Sequence, residues 1–177
     1  MFFIPGFVIS ILTFPGVIVH EFAHRFFADV AKVPVYKVCY FRLGNPAGYV
    51  IHGHVNSLKK YFLISVAPFL VNSILCMLIT FTSIIPIYIL DAVNVSWVFY
   101  VLLWIGFSIG VHAFPSDVDT KNFIAVVKGE KHHKFLVILA QLISWFFGLA
   151  NLLRAFWADA FYALGLSLLL PLIFGLF

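Results

Sequence analysis

Charge is what this chain has least of. Only 10% of its 177 residues are Asp, Glu, Lys or Arg, and Glu21 and Glu130 are the only two glutamates. With 63% hydrophobic residues alongside, so little charge excludes an ordinary soluble domain, which needs polar groups to cover its outside. Cysteine is scarce too: Cys39 and Cys76 make no disulfide framework and read as free thiols. No basic segment precedes the first apolar run, which therefore reads as a retained span and not as a cleaved signal peptide. Internal repeats and low-complexity tracts are missing as well. What is left is the composition of a multi-pass membrane protein with little soluble material.

The charges that are present fall in two places. Lys32, Lys37, Arg42, Lys59 and Lys60 lie in one loop, and Lys121, Lys128, Lys131 and Lys134 in another, while the other inter-span segments offer only Arg154. A net +4 distributed in this way is a topology signal, with the basic loops inside; it predicts the lipid bilayer as a partner and no nucleic acid.

Within the first apolar run stands His20-Glu21-Phe22-Ala23-His24, the pattern H-E-x-x-H. Residues four apart share one face of a helix, so His20 and His24 can offer two imidazoles to one metal ion. Glu21 then lies within reach of a metal-bound water as general base. Zinc lowers the pKa of such a water towards ~7, and a carboxylate can take its proton as it attacks a carbonyl. A carboxylate between two histidines is costly inside a membrane, which favours a functional site over two ordinary helix histidines.

Taken in order, the chain predicts an all-α polytopic fold of about five transmembrane helices, with a short β-hairpin inserted after the first. Span one covers about 3–31, with Pro15 as a kink. Two β-rich runs, Val35 to Leu43 and Tyr49 to Val55, flank the turn residues Gly44-Asn45-Pro46-Ala47-Gly48, which places a hairpin at 35–55. Its edge could pair with an extended peptide, or the hairpin could be a packed lid. His52 and His54 read as exposed polar groups on one strand face.

Span two covers about 61–85 and carries Pro68 and Asn72, the latter either interhelical glue or a site-lining group. Span three covers about 95–114. Residues 120–134 form a polar inside link, in which His132-His133 reads as a solvated surface. Residues 135–177 supply two more spans, separated by Arg154, Trp157, Asp159 and Tyr162.

Catalytic zinc wants three protein ligands and an open position. By span parity, the ends of spans one and three reach the same leaflet, which brings Asp117 and Asp119 near the motif as candidates for the third ligand. At this point the sequence resembles the site-2 protease family of intramembrane zinc metalloproteases, over roughly Phe3 to Asp119. That family's second motif reads N-x-x-P, four residues, then D-G. Here His112 stands in place of the asparagine, Pro115 matches the proline, and Asp119 falls one residue short of the aspartate, with no glycine after it.

The resemblance implies a membrane-embedded metalloprotease core at 1–119, with one Zn2+ held by His20, His24 and Asp119 and with Asp117 as the alternative third ligand. It implies Glu21 as the catalytic base and places His112 beside the site, where it could help to bind or polarise substrate, with Asn72 as a second substrate-binding or site-lining candidate. The expected activity is hydrolysis of peptide bonds in or near transmembrane segments, as in regulated intramembrane proteolysis. The expected setting is a prokaryotic cell membrane, with the site near the cytoplasmic leaflet.

Two other functions compete. A metal-ion transporter or metal-binding protein could use the same histidines, although a transport path would spread its ionisable groups over both sides of the membrane. A catalytically inactive scaffold could keep the histidines but has no need of Glu21.

Overall fold

The computed structural model describes residues 6–55, 57–89, 97–129 and 134–176. In place of one kinked helix over 3–31, two helices meet at 90°: α1 (Gly6–Leu12) and α2 (Phe14–Val30). The break falls at Thr13. Pro15 sits in the first turn of α2, where a missing N–H costs no helical bond, so it starts a helix and does not kink one. On the far side of the bend, the Trp104 indole donates to the Leu12 carbonyl at 3.0 Å.

The hairpin is antiparallel, with strands β1 (Val35–Cys39) and β2 (Tyr49–His52) in the register Lys37↔Ile51, Val38↔Val50 and Cys39↔Tyr49. Its strands are shorter than the β-rich runs of the sequence. Beyond Cys39 the Arg42 N–H donates to the Ala47 carbonyl (2.7 Å) and its Nε to the Pro46 carbonyl (2.9 Å), closing a loop where the strands would have continued. Both strands lie against α2.

Five further helices follow: α3 (Leu58–Ile84, continued by a π-helical turn to Ile89), α4 (Trp97–Val111), α5 (Asp117–Gly129), α6 (Lys134–Leu153) and α7 (Ala158–Ile173). Apart from the hairpin the described residues are all-α. Helices α2, α3 and α4 pack on one another through bare backbone. A Cβ on Gly16 would meet the Ser108 carbonyl oxygen at 2.0 Å, and one on Gly110 would meet Cys76 Sγ at 2.6 Å, so α4 touches its neighbours at contact distance.

Residues 120–129 of the expected polar link are helical, within α5. Phe123 and Val127, four apart, bury one face of α5 against Leu58 and Ala140. His132 and His133 lie outside the described residues, as do residues 90–96 before α4.

The span count also differs from expectation. Among the described residues, Leu58–Ile87 and Val137–Phe156 are long and apolar enough to cross a membrane, and the bent α1–α2 pair makes a third if it counts as one span. α4 and α7 are apolar but shorter, at 15 and 16 residues. At 1.5 Å per residue each is about 22–24 Å long, less than the roughly 30 Å of a hydrocarbon core.

Moreover, α6 and α7 succeed one another along α3. Ala140 packs near Leu58, and Phe146 and Phe147 pack on Phe69. Tyr162 then stacks on the other side of the break against the same Phe69, and Phe174 reaches Phe81. The break between them holds Arg154, whose Nε donates to Asp159 at 2.7 Å, and Trp157 in a left-handed conformation (φ 64°).

Candidate metal centre

Close α2–α4 packing at Gly16 determines what its next turn can reach. One turn on, His20 Nδ1 lies 2.7 Å from the backbone carbonyl of His112, the first residue after α4. A helix leaves its last carbonyls without intrahelical partners, so this one is free to accept. His24, a further turn along, places Nδ1 3.2 Å from the Ile64 carbonyl on α3. Both rings therefore donate from Nδ1 and keep Nε2 for a ligand, the arrangement in which a backbone acceptor fixes the tautomer of a metal-binding histidine. Their ring centroids are 4.9 Å apart, and both side chains are buried.

Asp119 completes the group. It occupies the third position of α5, and a capping box holds it there. The Ser116 N–H (3.2 Å) and Oγ (2.6 Å) donate to Asp119 Oδ2, while the Asp119 N–H donates back to Ser116 Oγ at 3.2 Å. Asp119 Oδ2 lies 3.6 Å from His24 Nε2, which is buried and has no hydrogen-bond partner. Burial raises the Asp119 carboxyl, but the neighbouring His24 ring and Ser116 hydroxyl outweigh it, so the ionised form is favoured.

One ligand atom from each of His20, His24 and Asp119 lies within 4.8 Å of the others. Tetrahedral zinc with ligands at about 2.0–2.1 Å sets them about 3.3 Å apart, so small side-chain movements suffice to close the group on an ion. The residues fit zinc: two imidazoles engaged at Nδ1 by backbone carbonyls, one carboxylate, and an orphaned buried nitrogen, His24 Nε2, among them. Asp117, in contrast, is exposed and stands outside this group.

His112 and Asn72 are placed differently from a substrate-contacting pair. The His112 imidazole reaches away to Thr13 Oγ1 at 2.7 Å, on the α1–α2 bend, and it is the backbone carbonyl of His112 that serves the centre. Asn72 is fully buried and its Nδ2 donates to the carbonyls of His112 (2.9 Å), Ile109 (3.2 Å) and Gly16 (3.4 Å). It ties α3 to α2 and α4 while sharing the acceptor used by His20. Cys39 and Cys76 are both free thiols.

Glu21 is buried beneath the hairpin. A Cβ on Gly48, just before β2, would come 2.6 Å from Glu21 Cγ and 3.1 Å from Oε1, so a methyl there would push the Glu21 side chain out of its place under the hairpin. Gly48→Ala is expected to destabilise the protein by about 1–3 kcal/mol, as overpacking does elsewhere. Thermal unfolding of the two proteins measures it, and an unchanged midpoint would mean that the hairpin does not rest on Glu21.

Sequence reasoning missed Ser116, although Ser-x-x-Asp before an apolar face is a readable capping signal. The His112 carbonyl carries no side-chain signal. No family model matches the chain, and neither a curated protein nor a solved structure does.

Proposed function

We propose that the protein is an intramembrane zinc endopeptidase resembling the site-2 proteases, acting on peptide bonds in or near transmembrane segments of other membrane proteins. The observation that carries this reading is the orientation of the centre: two histidines with Nδ1 anchored on backbone carbonyls, and an unpartnered His24 Nε2 beside Asp119.

In this reading His20, His24 and Asp119 hold one Zn2+. The bound ion supplies a Lewis acid for a peptide carbonyl and lowers the pKa of water. Glu21 accepts the proton from the attacking water at its carboxylate and returns it to the leaving amine. Gly48 and the hairpin keep bulk solvent off Glu21, and substrate replaces that cover. A transmembrane segment hides its carbonyls in its own helix, so the substrate unwinds locally to be cut.

In this reading the chain crosses the bilayer through the bent α1–α2 pair, α3 and α6, with the shorter α4 and α7 packed against α3. The basic segments face the cytoplasm of a prokaryotic cell.

The test is cleavage of a transmembrane peptide library in vesicles containing the purified protein. Cleavage should stop on chelation and return with added zinc. Cleavage that survives chelation, or none under any condition, would overturn the reading.

A further inference from the structure

The Ile64 carbonyl that orients His24 lies within α3, six residues from its first residue Leu58, where a helix normally uses every carbonyl itself. In an α-helix the carbonyl of residue 64 accepts from the N–H of residue 68. Residue 68 is proline, inside the helix and fully buried. It has no N–H to give.

Ile64 is only 2% exposed, so water does not replace the missing donor, and His24 Nδ1 lies 3.2 Å from that carbonyl. We propose that Pro68 is a positioning residue of the metal centre: it withholds the helical donor from Ile64 and so reserves that carbonyl for His24 Nδ1, which turns Nε2 towards Asp119.

The two histidines thus find acceptors by different routes. His20 uses a carbonyl freed by the end of α4, whereas His24 uses one freed by a proline in mid-helix. A proline that merely bent α3 would have no stake in which nitrogen of His24 carries the proton. The inference rests on the zinc reading for its functional meaning, but its central claim concerns a hydrogen bond that exists without metal.

The experiment replaces Pro68 with alanine in the full chain. Alanine restores the N–H and is the better helix former, so the bundle keeps or gains stability while the Ile64 carbonyl returns to α3. Zinc affinity, measured by chelator competition in detergent, should then fall by roughly 10–100-fold, the range for losing an outer partner of a ligand histidine. Stability and zinc affinity moving in opposite directions is the signature.

Pro68→Ser restores the same N–H with another side chain and must behave alike, so the test does not depend on one variant folding. Pro171→Ala removes the interior proline of α7 and should leave zinc affinity unchanged. In zinc-free protein labelled with 15N-histidine, the Nδ1–H signal of His24 should be present in the parent and lost in both Pro68 variants.

Equal zinc affinity and an unchanged Nδ1–H signal would overturn the proposal. A parent that binds no zinc would overturn the functional reading, and the zinc-free signal would still decide the role of Pro68.

Discussion

Glu21→Gln should retain zinc and lose cleavage. Glutamine is nearly isosteric with glutamate, so its contact with Gly48 and the packing under the hairpin survive. It cannot take a proton, and a positioned general base is worth roughly 10²–10⁴ in rate. The glutamate is not among the three grouped ligand atoms, so metal content should be unaffected. Zinc analysis and a cleavage assay on the same preparation check both halves. A transporter would keep its flux in this variant, and a scaffold would show no activity to lose. If the variant lost zinc together with activity, Glu21 would be a ligand and the division of roles proposed above would fall.

Asp119→Ala should empty the centre, whereas Asp117→Ala should leave it filled. Removing the carboxylate leaves His20 and His24 as two ligands on one helix face, fewer than the three a catalytic zinc site uses. The loss should exceed the roughly 10–100-fold that follows removal of an outer partner. Asp117 is exposed and apart from the group, so its removal touches no ligand. Zinc stoichiometry of the purified proteins decides this, and zinc loss on removal of Asp117 alone would reverse the assignment. Because Asp119 also caps α5 through Ser116, Asp119→Asn is the companion variant, since its amide oxygen can still accept from Ser116.

What the sequence made legible follows from how local each signal is. The pairing of His20 with His24 needs only the pitch of one helix, and the hairpin needs only its turn residues and the β-branched runs beside them. Preferring Asp119 to Asp117 drew on family spacing, which this chain breaks by one residue. In the structure the choice has a local cause: the third position of a helix capped by Ser116 faces His24, and the first position does not.

The right-angle break at Thr13 was not readable, because Pro15 signals a helix start as well as a kink. The span count fell short because helix ends are harder to read than apolar stretches. Hydropathy marks the apolar stretches but not where their helices end, and α4 and α7 close at 15 and 16 residues. Helix α5 was hidden by its lysines, although Phe123 and Val127 carry its buried face.

His112 belongs to two assemblies at once. Its imidazole holds Thr13 at the corner between α1 and α2, and its carbonyl holds His20 and Asn72. The angle of that corner and the occupancy of the metal centre are therefore linked quantities. If the centre holds zinc as proposed, a lipid or substrate that favours one corner angle should change the affinity for zinc by some factor, and zinc should change the preference for that angle by the same factor. Helix α1, which supplies none of the three grouped ligand atoms, is in this sense an input to the centre.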